Sequence, residues 1–146
     1  MTFSSCQDDV NQNTEPDYII VGHFYGMCQG EQCVEIFKIT DKELFEDSKD
    51  IYPARDVFAN TDFSALSDDQ FQKATSIISN FPKEILNDDE PVMGCPDCHD
   101  QGGLYIEYKK GNSRKFWLLD NDKPHVDEYL HEYIDEVRRV IEEINR

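Results

Sequence analysis

Apolar and polar positions follow a strand-like or a helix-like period over most of this chain, and each change of period marks an element. From Asp17 to Tyr25 (D-Y-I-I-V-G-H-F-Y) β-branched and aromatic residues dominate, which predicts a strand. Gly26 to Gln32 carries two glycines and breaks it as a loop, and Cys33 to Ile39 predicts a second strand. Thr40-Asp41-Lys42 turns the chain into a third, Glu43 to Asp47, and the three make an antiparallel meander. Lys49 to Phe63, interrupted by Pro53 and Asn60, reads as a surface excursion with Phe58 and Phe63 turned inward.

The period then becomes helical. Ser67 is placed as an N-cap, Gln70 as its capping-box partner three residues on, and Leu66 against Phe71 as a hydrophobic staple. A helix therefore starts at Asp68, runs through Phe71, Ala74, Ile77, Ile78 and Phe81, and stops before Pro82. Leu104 to Lys109 alternates with Leu104, Ile106 and Tyr108 on one face, and Gly111-Asn112-Ser113 turns it into Lys115 to Leu119 as a hairpin with Trp117 in the core. From Pro124 to Asn145, Val126, Tyr129, Leu130, Tyr133, Ile134, Val137, Val140, Ile141 and Ile144 form the apolar stripe of a long amphipathic helix.

The predicted fold class is α+β: one antiparallel sheet of about five strands in the order βββ-α-ββ-α, with both helices packed on one face. The other face is left for the remaining aromatics or for a partner. A length of 146 residues predicts a single domain, residues 17–146, and nine Phe, seven Tyr and one Trp suffice for one core. Asp and Glu outnumber Lys and Arg by 31 to 14, a formal net charge of −17, so the field of the protein repels phosphate backbones and anionic lipid surfaces. Nucleic acid is accordingly not an expected partner.

The first 16 residues read as a tether. Phe3-Ser4-Ser5-Cys6 matches the end of a bacterial lipoprotein signal, in which small residues precede a cysteine that receives lipid. Cys6 is the lipidation candidate, and the stretch after it is polar up to Pro16, as suits a flexible spacer. The membrane would then be reached only through that anchor, and the domain would lie in the cell envelope, periplasmic or surface-exposed. If the match at Cys6 is accidental, the expected place is the cytoplasm.

With Cys6 set aside, Cys28, Cys33, Cys95 and Cys98 form two close pairs. The preferred reading is two disulfides, which an oxidising compartment allows and which contribute about 2–3 kcal/mol each on the chain-entropy model. The alternative is a tetrathiolate zinc site built from the same four cysteines, with His99 as a substitute ligand or catalytic residue. Cys95-Pro96-Asp97-Cys98-His99 also matches a haem-attachment pattern, for which Met27, Met93, His23, His125 and His131 offer too many second ligands to count as support. Asp88, Asp89, Glu90, Asp97 and Asp100 flank this loop and could hold calcium, although loop carboxylates more often cap backbone N–H groups, a job that suits Asp97 and Asp100. His23 reads as a satisfied core or edge residue. No cofactor is required under the preferred reading.

Gly26-Met27-Cys28-Gln29-Gly30 before a strand, followed far downstream by Gly94-Cys95-Pro96-Asp97 and Asp100-Gln101-Gly102-Gly103, resembles a group of small uncharacterised lipoproteins of Bacteroidetes-type bacteria. The likeness runs from about Tyr18 to Ile144. It implies an envelope location and a shared fold, without an activity. The expectation is a non-enzymatic module that binds a protein or a small molecule, with the zinc reading as the alternative.

Overall fold

A computed structural model describes residues 14–53 and 62–146 of the chain. The central strand is β1 (Tyr18–Phe24), where apolar residues on both faces are buried. It pairs antiparallel with β2 (Val34–Ile39) on one side and with β6 (Gly103–Lys110) on the other. Beyond β2 lie β3 (Leu44–Asp47) and β4 (Phe63–Ala65), and beyond β6 lie β7 (Ser113–Asp120) and β5 (Val92–Met93). The strand order is β4-β3-β2-β1-β6-β7-β5.

The α+β class holds, but the sheet has seven strands and is mixed, not five and antiparallel. Both additional strands are too short to show alternation. β4 lies at the end of the predicted excursion and pairs its three residues with β3, which leaves Phe63 half-buried; Phe58 lies outside the described residues. β5 has two residues and runs parallel to β7, with Val92 opposite Leu118, and the Pro91 carbonyl extends the ladder by accepting the Leu118 N–H at 2.7 Å. The hairpin extends further than its apolar core, to Lys110 and Ser113, and leaves Gly111-Asn112 as a two-residue turn.

α1 (Asp68–Ser79) begins where the capping box places it. The Gln70 N–H donates to Ser67 Oγ at 3.2 Å, and the Ser67 N–H donates back to Gln70 Oε1 at 3.1 Å. Ser67→Ala is expected to lower stability by about 1 kcal/mol, read from a urea midpoint that moves while the slope stays constant. An unchanged midpoint would show that the cap is not a stabilising feature.

The final helix is shorter than its apolar stripe. α2 spans His131–Ile144, and two 3-10 turns, Lys123–His125 and Glu128–Leu130, precede it. Val126 and Asp127 between them take extended backbone, at φ −120° and −54° with ψ 144° and 135°, which breaks the helical ladder while Val126 and Leu130 still reach the core. Periodicity sees the burial and not the backbone.

Period-two alternation divides the sheet into two apolar faces. Ile19, Val21, Phe37, Leu104, Ile106 and Trp117 share one core cluster with Ala74 and Ile77 of α1 and Ile134, Val137 and Ile141 of α2. Tyr133, also on α2, donates its hydroxyl to the Ile77 carbonyl at 2.9 Å and ties the two helices together. The opposite face gathers Ile20, Phe24, Val34, Ile36 and Tyr105, and sets among them the buried carboxylate Glu107. Among the described residues no helix is long and apolar enough to cross a membrane. The proposed lipid site, Cys6, and nearly all of the 1–16 tether lie outside the described residues; the domain is anchored from Asp17, whose carboxylate accepts the Gly111 N–H at 2.9 Å.

Candidate functional site

Two loops meet at one end of the sheet because the strands that carry them, β1 and β6, are neighbours. The first follows β1 and leads into the 3-10 turn Glu31–Cys33; the second joins β5 to β6. Each carries one pair of cysteines. Cys28 and Cys33 lie with their sulfurs at bonding distance and their Cα atoms 5.7 Å apart; Cys95 and Cys98 do the same at 5.5 Å. Both separations fall in the ordinary disulfide range.

The second loop is shaped by unusual backbone. Asp97 and Asp100 both occupy left-handed conformations, φ 58° and 60°, which Asp tolerates better than most residues because its short side chain bonds locally. Gly102 has φ 76°, and a Cβ there would stand 2.3 Å from the Tyr25 ring, so the loop entering β6 can pass this close to Tyr25 only with glycine.

Asp97 joins the two loops. Its Oδ2 accepts the Gly26 N–H of the first loop and the Tyr52 hydroxyl, both at 2.8 Å, while its Oδ1 accepts the Gly102 N–H at 3.0 Å. Burial, with the Asp97 carboxylate adding to it, pushes the Tyr52 hydroxyl up to about 12, so Tyr52 is a fixed donor at physiological pH. Asp97→Ala is expected to destabilise the domain by about 1–3 kcal/mol and to release the first loop. Faster amide hydrogen exchange at Gly26 and Gly102 would register it; exchange unchanged at both would contradict the clasp.

Asp120, at the end of β7, is the second fixed point. Its carboxylate accepts the Cys95 N–H at 2.9 Å, the Asp122 N–H at 2.8 Å and the Gln101 side-chain amide at 3.1 Å. His125 Nδ1 lies 3.4 Å from the same group. Burial works to raise this carboxyl, but the hydrogen bonds from Asp122, Cys95, Gln101 and His125 outweigh it and bring it down to about 2. Gln101 also donates to the Cys95 carbonyl at 2.8 Å, and Asn121 donates to the Gln101 carbonyl at 2.8 Å and to the Tyr25 hydroxyl at 3.1 Å. Arg138 of α2 holds Asn121 in turn. Beside this network opens a cavity of about 410 Å³, lined by Cys95, His99, Gln101, Asn121, Asp122 and His125.

The other sequence candidates do not converge here. Haem attachment needs Cys95 and Cys98 as two separate thioether donors, and they face each other as a pair. Met93 is core and Met27 is 79% exposed at the tip of the first loop. His23 donates its Nε2–H to the Gln32 carbonyl at 2.9 Å, its pKa held below the ordinary value by burial, and His131 donates its Nε2–H to the Val126 carbonyl at 2.9 Å. The calcium reading also loses its cluster. Asp88 caps the Glu90 N–H, Asp89 pairs with Lys115 at 3.2 Å, and Asp97 is committed to its three donors. Asp97 thus does the backbone work expected of it, and Asp100 contributes its backbone N–H, 3.4 Å from the Asp97 carbonyl. Among the described residues no three His, Cys, Asp or Glu side chains are arranged to hold a metal ion, and the four cysteines stand as two pairs, not as one tetrahedral set.

Asp120, Gln101, Asn121 and Tyr25 are absent from the sequence candidates. The one local signal is Leu119-Asp120-Asn121-Asp122, two Asp and an Asn at a strand end, which is the composition of a side-chain-capped turn. No family model matches the chain, and no curated protein is significantly similar to it.

Proposed function

We propose that this chain is a lipid-anchored domain of the cell envelope that binds a protein or small-molecule ligand without catalysis, through its pair of cysteine-braced loops. The observation that carries the reading is the two cysteine pairs at bonding distance on neighbouring loops clasped by Asp97. Paired cysteines of this kind persist outside the reducing cytoplasm. A braced loop pair is pre-organised, which lowers the ordering cost of an encounter, and Met27 offers an exposed apolar tip.

The chemistry of the cavity favours binding over turnover. Asp97 and Asp120 have their oxygens taken up by structural donors, and Cys95 at its edge is paired with Cys98. His99 and His125 remain at the rim as adaptable polar contacts.

Fatty-acid labelling of the protein in its own host tests the anchor. Label on the protein in the membrane fraction, abolished by Cys6→Ser, is the expected result. An unlabelled protein in the cytosol with four free thiols would overturn the proposal and return the four cysteines to the zinc alternative.

A further inference from the structure

A second cavity, of about 360 Å³, opens where β2 and β3 meet the end of α2, and its lining is unlike that of the loop site. Glu31, Gln32, Glu35, Glu46, Asp50 and Asn145 surround it with Asp47 and Ser48, so every lining residue is polar and none is Lys or Arg. Asp47 is committed, since its two oxygens accept the Lys49 and Ile51 N–H groups at 3.0 and 2.9 Å. Glu35 is not. It is only 6% exposed, and its Oε2 is buried without a hydrogen-bond partner. A buried carboxylate oxygen without a donor is costly and calls for a partner that the fold itself does not supply.

Three further features set the sign of that partner. Glu46 stands opposite Phe37 in the β2–β3 register and Glu35 lies two residues before Phe37, so both carboxylates project from one sheet face. The carboxyl of Glu35 is raised to about 7, first by burial, with Glu46, Asp50 and Glu31 adding to it and Asn145 partly offsetting it. α2 ends at this cavity with no basic residue in its last turn, so the negative end of its dipole adds to the field.

We infer that this cavity binds a small organic cation, an ammonium or guanidinium group, with Glu35 as the buried anchor and Glu46 and Asp50 as flanking carboxylates. A hard divalent ion needs six or more oxygens converging at about 2.3–2.6 Å. Among the described residues no three acidic side chains converge in that way. Carboxylates spread around a roomy polar cavity instead suit N–H donors, which reach each oxygen through separate charge-assisted bonds. The inference is independent of the lipid-anchor reading.

The test is a titration of the full chain with 1,5-diaminopentane and with agmatine, followed by backbone amide shifts, beside 1,5-pentanediol as the neutral control. Saturable shifts at Gln32, Glu46 and Asn145 with both amines, and none with the diol, are expected. Glu35→Gln should weaken binding by at least about tenfold, the effect of losing one charge-assisted hydrogen bond. Glu46→Gln, at a half-buried position that leaves the core untouched, should weaken it about threefold and keeps the test open if Glu35→Gln does not fold. Glu84→Gln, at an exposed position in the 3-10 turn Lys83–Asn87, should leave binding unchanged. Equal losses in all variants would mean diffuse attraction to an acidic protein and overturn the assignment. So would calcium chloride alone saturating the same amides while neither amine does.

Discussion

Asp120→Ala is expected to lower the unfolding free energy by about 3–5 kcal/mol, the range for breaking a buried charged hydrogen-bond network. The carboxylate is 1% exposed and holds the Cys95 and Asp122 N–H groups and the Gln101 amide, so removing it strands three donors at once. Its pH signature follows from linkage. The folded value of about 2 lies below the unfolded value of 3.8, so the stabilisation is fully present above pH ~4 and is lost as pH falls through about 2. Urea melts of wild type and Asp120→Ala should therefore differ by a constant amount near neutrality and draw together below pH ~4. Curves that stay parallel down to pH 2 would show that the charge on Asp120 is not what stabilises the loop.

Glu107→Ala has the other large expected effect, again about 3–5 kcal/mol, and it acts on the opposite face of the sheet. Glu107 is 1% exposed and accepts from Tyr18 at 3.1 Å, Tyr105 at 2.6 Å and Arg114 at 2.6 Å. Lys38 stands over the Tyr18 ring at 4.6 Å and Arg114 over Phe116 at 5.6 Å, so the polar group is roofed by cations stacked on aromatics. Burial and the Glu107 charge together push the Tyr18 hydroxyl up to about 12 and that of Tyr105 higher still, which keeps both protonated as donors. Glu107→Gln retains an acceptor and should cost about 1–3 kcal/mol, less than the alanine. If both variants melt like wild type, the network is incidental to stability.

Much of the fold is legible in the sequence where pattern and local chemistry agree. Ser67, Gln70 and the apolar spacing from Phe71 to Ile78 specify α1 within four residues of any contact, so its start needs no tertiary information. The β6–β7 hairpin is equally local, with Gly111-Asn112 at its turn. β4 and β5 escape such a reading because three and two residues give no period, and each exists only through its partner strand. The start of α2 escapes it because Val126 is buried in extended backbone at a position where a helix would also bury it.

The candidate site divides in the same way. The two cysteine pairs stand out by spacing alone, and Asp97 by its place between Cys95 and Cys98. Their coupling does not. Asp97 reaches Gly26 across 71 residues and Asp120 reaches Cys95 across 25, contacts that arise from β1, β6 and β7 lying side by side. Glu35 is invisible for a further reason: in C-V-E-I-F-K-I it looks like an outward-facing strand carboxylate, and its burial comes from segments distant in sequence, Glu46 of β3 and Asn145 after α2 among them.

The two cysteine pairs hold the candidate site together, and intact mass spectrometry of the full chain, unreduced, in native and denaturing buffer, tests them most directly. Two disulfides predict a mass four hydrogens below that of the reduced chain in both buffers, with proteolytic fragments linking Cys28 to Cys33 and Cys95 to Cys98. A native mass raised by one zinc ion, lost on denaturation to leave four free thiols, would contradict it.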